Sequence, residues 1–595
     1  MEKKALKGGE FLIKTTLAED IFIPEEFNEE QLMIAQSCKD FLDAELYPIA
    51  DRIDKMEEGL MAQTLKKSGE YGLLGISVPE EYEGFGQSFV TSMLSSDVMG
   101  AGYSFSVAYS AHTGIGTLPI VYYGNEEQKQ KYLPKLATGE WLGAYCLTEP
   151  GAGSDANSGT TKATLSEDGK HYILNGQKMW ITNGGFADVY TVFAKIDNDR
   201  ILSAFIVEKN FPGISTNVEE KKMGIKGSST VQVFLNDCKV PVENMLGKRG
   251  EGFRIALNIL NLGRIKLGAN VNGAAKRAID QSVRYSNERK QFRSLLSTFG
   301  AIKFKLAEQV IRVFANESAV YRASQNVEDA VQMYIKEGMD VGLAQVEAQR
   351  KYVIEAALLK VYGSEMLDYV VDEGVQIHGG MGYSAETEIE RSYRDSRINR
   401  IFEGTNEINR MVVSDTLIKK GMKKEIAFMP AAEQVMNSIE NLGHKPEFTG
   451  EYFDIVKQIT QNLKNATILI TKAAMDSLGR KIGREQEVLF NLADMMTQTY
   501  VVESTALRVE KMQNMVDAEK FELFKDMLNV LQYESAHIIN KAGTDAVFNC
   551  IKEEEQCKIL KALSYFTKVK PTNYKEARQR IANKLIEDNK FNFTY

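Results

Sequence analysis

At 595 residues the chain is too long for one hydrophobic core, and its length calls for about three or four domains. Apolar residues make up 44% and charged residues 26%, an ordinary globular balance, and a net charge of −9 argues against a nucleic-acid partner. Nothing approaches the roughly eighteen consecutive apolar residues of a membrane span, and "MEKKALKGGEFLIKTTLAED" lacks the apolar centre of a signal peptide. The five cysteines show no CxxC spacing, and the five histidines form no HExxH or other ligand cluster. The expectation is a cytoplasmic protein with reduced thiols and no metal.

In chain order, residues 28–145 predict a helical domain, opening on "NEEQLMIAQSCKDFLDAELYPIADRI". Residues 146–248 change character. "HYILNGQKMWITNG", "VYTVFAKI", "ILSAFIVEK" and "STVQVFLNDCKV" are β-rich runs separated by turn signals such as Asp168-Gly169 and Pro212-Gly213. Each run meets another strand rather than a crossover helix, which disfavours a parallel dinucleotide-binding sheet. No proline occurs between Pro241 and Pro430, so residues 249–415 predict a second set of long helices. Residues 416–450 are expected to be a connector. From 451 to 595, Phe453, Val456, Ile459 and Leu463 begin a helical face, and an additional helical domain follows.

Several short motifs stand out. "TEPGAGSD" lets a backbone approach a flat or phosphorylated ligand closely and adds the hydroxyls of Thr148 and Ser154, although a tight turn has the same composition. "MWITNGG" sets Trp180 beside Thr182, which suits either a planar cofactor or a packed core ring. In "ERKQF", Arg289 is a solvated charge or an anion ligand. In "QIHGGMGY", the glycine pair also reads as a helix C-cap. "RINRIFEGTNEINR" carries two carboxylates, Glu403 and Glu407, among apolar, Asn and Arg residues.

Together, in this order, these strings resemble the acyl-CoA dehydrogenase family of FAD enzymes over roughly residues 28–415. "STFG", "YGSEM" and the long tail resemble its very-long-chain branch. The resemblance implies an α+β, mostly helical fold: an N-terminal helical domain, a middle β-barrel-like domain, a C-terminal four-helix domain and the extra helical domain. It implies that Thr148, Trp180 and Thr182 meet the flavin, with Ser154 near cofactor and pantetheine. Thr405 and Glu407 also fall on cofactor-contacting positions. Arg289, Phe292, Gln376 and Gly380 would reach the FAD of a neighbouring subunit, so a homodimer or dimer of dimers follows. Asn261 and Arg264 match positions that hold the CoA moiety.

The implied reaction forms a trans-2-enoyl-CoA in fatty-acid β-oxidation. Glu403 takes the α-proton while flavin N5 takes the β-hydride, and electron-transferring flavoprotein is the expected acceptor. Some branches place the base immediately before the arginine of "LNLGRI", but that residue here is Gly263. Small residues Ser106, Ser110 and Ala111 fit a deep acyl channel, or only close helix packing. Two departures from the family pattern are Arg293, where a glycine is usual, and Glu388, where a proline is common. The tail leaves room for weak peripheral membrane contact; an acyl-CoA oxidase and a non-catalytic assembly or scaffold protein are the alternatives.

Overall fold

The computed structural model describes residues 6–594. The first domain opens on helix Glu29–Phe41, where Asn28 caps the Gln31 N–H and the Gln31 side chain returns to the Asn28 N–H. The proline-free tract forms three long helices, Gly252–Glu288, Gly300–Lys336 and Val353–His378. They cross where side chains are missing. A Cβ at Gly363 would meet Val271 at 3.0 Å and Asn316 at 3.2 Å, and one at Gly273 would run into the Asp97 carbonyl at 1.9 Å. Gly252–Glu288 is therefore the spine of the molecule, gripped by the first domain on one side and by Val353–His378 on the other.

The middle domain is an eight-stranded sheet of β1 (Gly143–Cys146), β2 (Lys162–Leu165), β3 (His171–Thr182), β4 (Val189–Ile196), β5 (Ser203–Glu208), β6 (Ile214–Thr216), β7 (Thr230–Pro241) and β8 (Met245–Leu246). The order is β6-β7-β3-β2-β4-β5-β8, with β1 beside β4. Hairpin-type pairing prevails, but β4 runs parallel to both β1 and β2. The sheet buries its own core around Leu174, Tyr190, Val192 and Val233.

Two parts of the chain differ from the sequence reading. The expected connector is largely helical: Asn406–Met422 runs through it, and Phe428–Ser438 follows. Pro430 suggested a break, yet it lies in the first turn, where a helix has no N–H bond to lose. Residues 6–27, to which the sequence reading gave no secondary structure, are a buried strap. Phe11, Leu12, Ile21 and Ile23 are at most 3% exposed, and the Phe11 ring meets Tyr500 edge-on at 4.9 Å.

The extension beyond residue 451 packs on the back of Gly300–Lys336, and the strap is wedged between them. Arg508, with no exposed side-chain surface, gives one nitrogen to Glu25 at 2.6 Å and another to Glu317 at 2.8 Å, with its guanidinium over the Phe314 ring. Arg322 and Lys464 share Glu503 nearby. Among the described residues no helix is long and apolar enough to cross a membrane, and no side-chain cluster could hold a metal ion.

Replacing Arg508 with Leu strips Glu25 of this guanidinium and leaves the buried Glu317 with Lys276 as its cation. We expect a loss of about 3–5 kcal/mol in thermal or denaturant unfolding, together with protease sensitivity near residues 6–27. Unchanged stability would show that the buried ions do not hold strap and extension in place.

Candidate active site

Glu403 and Gly404 both have left-handed backbones, φ +56° and +83°, in the turn between Arg397–Arg400 and helix Asn406–Met422. A glutamate adopts this conformation only when its surroundings impose it. Here Arg264 Nε donates to the Glu403 carbonyl at 3.1 Å, and Asn409 Nδ2 donates to Gly404 O at 2.7 Å and Thr405 O at 3.1 Å. The Thr405 hydroxyl caps the helix by accepting from Ile408 N. The Glu403 N–H donates to no acceptor among the described residues.

The Glu403 side chain turns inward against the spine helix. A Cβ on Gly263 would lie 2.8 Å from its Oε2, so any side chain there would displace the carboxylate. That oxygen is fully enclosed and unpartnered. Burial pushes the carboxyl from 4.5 up to about 7, with Arg264 and Lys360 partly offsetting the effect. Lys360 is itself buried, which pushes it down to about 7, and its Nζ donates to Asn406 Oδ1 at 2.7 Å. Glu407, by contrast, is exposed in the first turn of the helix, where backbone N–H groups hold it below the usual range.

Thr148 is fixed from both sides. Lys178, with no exposed surface, donates to Leu147 O at 3.3 Å and to Glu149 Oε1 at 2.6 Å. The Met179 N–H donates to Thr148 O at 2.9 Å. Glu149 also accepts from Thr160 N and Thr161 N. Burial alone would raise the Glu149 carboxyl, but Lys178 and these donors hold it down at about 2. One buried pair therefore joins the "TEPGAGS" loop to the "QKMWIT" strand. Beyond it, β3 bulges and Trp180 takes φ +61°, leaving its ring 54% exposed. Thr182 is half-buried opposite Thr230, and Ser154 is exposed at the loop tip.

A second group forms where the spine helix and Val353–His378 end together. The Tyr285 and His378 rings stack at 4.2 Å and bring Arg289 towards Gln376 and Gly380, all three exposed. Strands β9 (Lys290–Gln291) and β10 (Ser294–Leu295) make a hairpin whose two loop residues, Phe292 and Arg293, both have positive φ, +49° and +64°. Such a turn suits glycine at its second position, so Arg293 strains it. Glu388, the other departure, accepts from Tyr103, Arg277 and Gln281 and ties the first domain to the spine helix.

These residues fit a long, flat, anionic cofactor. A Cβ at Gly151, Gly153, Gly379 or Gly380 would meet nothing within 4 Å, so both glycine motifs offer open backbone. The apolar rings of Trp180 and Phe292 face outward, Phe292 at 90% exposure. Asn261 and Arg264, expected to hold CoA, are buried and bond to each other at 3.0 Å, with Arg264 reaching the Glu403 carbonyl. Their visible work is to fix the turn of Glu403. Asn409, Lys360 and the Glu149–Lys178 pair escaped the sequence reading. The last of these is signalled only by an ionic residue inside each motif.

Lys178→Met strands the Glu149 charge, and we expect about 3–5 kcal/mol of destabilisation at pH 7 in thermal unfolding, partly recovered by adding Glu149→Gln. Because the folded Glu149 pKa lies below 4.5, the pair stabilises above that pH and loses its effect as pH falls towards 2. Equal stability of Lys178→Met and the parent would refute the clamp.

Comparison with known proteins agrees with this geometry. Family models for the acyl-CoA dehydrogenase N-terminal, middle and C-terminal domains match residues 28–140, 144–238 and 250–418, and a further acyl-CoA dehydrogenase C-terminal model matches 462–564. A probable acyl-CoA dehydrogenase of Bacillus subtilis is 43% identical, covering 99% of this chain and 100% of the relative. The rat mitochondrial very long-chain specific acyl-CoA dehydrogenase is 42% identical over 61% of this chain and 54% of its own. A crystal structure of an acyl-CoA dehydrogenase complexed with FAD from Bacillus anthracis superposes with a TM-score of 0.96, at 43% identity over 99% of this chain and 100% of that one. The chain belongs to the acyl-CoA dehydrogenase family of FAD-dependent oxidoreductases.

Proposed function

We propose that this protein oxidises long-chain acyl-CoA to trans-2-enoyl-CoA in fatty-acid β-oxidation, with Glu403 as the base. The observation that carries the proposal is the enclosed, unpartnered Glu403 carboxylate against Gly263. A carboxylate kept from water is a stronger base towards carbon than a solvated one. The unengaged Glu403 N–H is suited to receive the thioester oxygen as charge develops there, while Arg264 and Asn409 keep it aimed. FAD, when bound, supplies the acceptor for the hydride leaving the β-carbon. Thr148, Ser154, Trp180 and Thr182 would hold its ring end, with Thr405 and Glu407 beside it. Arg289, Phe292, Gln376 and Gly380 would contact the cofactor of a second subunit, and their exposure supports a homodimer or dimer of dimers. Arg289 suits a pyrophosphate because its guanidinium presents paired donors. Electron-transferring flavoprotein is the proposed acceptor, and the cytoplasm the proposed compartment.

The spine helix supports the long-chain reading. Gly263, Leu267, Asn270 and Ala274 fall on one helical face. Asn270 and Ala274 line a cavity with Ser106 and Val107. At about 1.5 Å per residue the cavity begins ~10 Å beyond Gly263 and extends past ~16 Å. Measured from a β-carbon beside Glu403, a zigzag chain advancing ~1.25 Å per bond brings roughly carbons eleven to sixteen of the acyl chain into that span.

The test is anaerobic titration of the holoenzyme with palmitoyl-CoA and butyryl-CoA, followed by flavin absorbance. We expect palmitoyl-CoA to bleach the flavin and Glu403→Gln to slow bleaching by about two to four orders of magnitude. Bleaching that survives in Glu403→Gln would remove the base assignment, and a preference for butyryl-CoA would remove the chain-length assignment. Admitting air to the bleached enzyme separates a dehydrogenase from an oxidase, which alone would recolour at once.

A further inference from the structure

The cavity at the far end of the proposed acyl channel is not lined as a channel for a plain alkyl chain should be. Ser106, Asn270, Asp395 and Asn399 face it alongside Val107 and Ala274. It has room for about three water molecules. Asp395 lies in the buried end of helix Glu388–Ser396, and its Oδ1 accepts from the Ile225 N–H. Its Oδ2 is wholly enclosed and has no partner. Neither neighbouring guanidinium pairs with it, since Arg391 turns to Asp51 and Arg394 to Glu390. Asn399 gives its amide to Ser396 O, and its oxygen accepts no hydrogen bond among the described residues. Asn270 holds Ser96 O and Ser110 Oγ only by long bonds of 3.3 and 3.4 Å.

Arg277 also lines the cavity but is engaged with Tyr103 and Glu388, and the loose ends of the other side chains are mainly acceptors. A terminal methyl would leave them unpaired and displace water from them, which is unfavourable in a buried site. A carboxylate would bring two more acceptors and a charge. A hydroxyl has the missing donor and can also accept from the Asn270 amide. The helical stripe described above sets the cavity on the face of the spine helix that Glu403 packs against at Gly263, ~10 Å further along the axis, a distance that one extended chain spans.

We propose that this cavity is a subsite for the hydroxyl group of a fatty acyl-CoA oxygenated near the far end of its chain. The proposal deepens the acyl-CoA reading and rests on it. The enzyme then handles hydroxylated long-chain thioesters at least as well as plain ones, a preference that an apolar channel cannot generate.

The experiment compares kcat/KM of the holoenzyme for 12-hydroxydodecanoyl-CoA against dodecanoyl-CoA, and for 16-hydroxyhexadecanoyl-CoA against palmitoyl-CoA. We expect the hydroxylated member to be favoured or equal at one length or both. Asp395→Asn can keep an oxygen for Ile225 while replacing the unpaired acceptor with an amide donor. It should lower the hydroxy-to-plain ratio at least tenfold, and Asn270→Leu should lower it in the same direction. A plain substrate preferred at both lengths overturns the proposal, as does a ratio unmoved by either substitution in folded, FAD-loaded protein. If none of the four thioesters reduces the flavin, the acyl-CoA reading falls and this subsite with it. Turnover of the plain thioesters alone overturns only the subsite.

Discussion

Glu403 sits in a left-handed turn whose carbonyl oxygens are bound by Arg264 and Asn409, and much of the rest of the molecule serves that constraint. The turn aims the carboxylate at Gly263, a place on the spine helix without a side chain, and leaves the adjacent N–H unengaged. In the proposed reaction, base and oxyanion donor would come from a single residue, fixed by groups on two different helices. Pre-organisation of this kind removes the reorganisation that a mobile glutamate would need during reaction.

The surrounding framework explains why the turn stays put. Asn406, the first residue of the following helix, receives Lys360 and reaches Glu365. Arg410 one turn later grips Glu365 with two nitrogens and Asp494 of the extension with a third. The extension is thus linked to the active-site helix through one guanidinium. It is also pinned to the four-helix domain by Arg508 and the N-terminal strap. Ionic groups inside a protein stabilise only when every partner is present, so these links act as a registration device between layers.

Much of this was legible in the sequence. The five motif strings pointed to Glu403, Trp180, Thr148 and Arg289 as candidates, and the β-rich runs with the proline-free tract after them gave the order of helical, β and helical regions. Other features could not be read because they exist only after folding. Asn409 and Lys360 look like ordinary helix residues until tertiary packing brings them to the turn. The resemblance offered Arg264 for CoA, and only the fold shows that its buried guanidinium also bonds Asn261 and the Glu403 carbonyl. Pro430 suggested a connector because composition does not reveal whether a proline falls in a first turn. The strap at residues 6–27 has no periodicity, and it is ordered by the surfaces it joins rather than by local preference.

The central claim is that burial makes Glu403 a base titrating near neutrality. The most direct measurement is the pH dependence of the first-turnover rate of flavin reduction by palmitoyl-CoA, between about pH 5.5 and 8.5. The ionised carboxylate is the active form, and its pKa is raised to about 7. The rate should therefore fall about tenfold per pH unit below that value and level off above it. A rate that stays flat through pH 5.5, the behaviour of an ordinary solvated glutamate, would contradict the account.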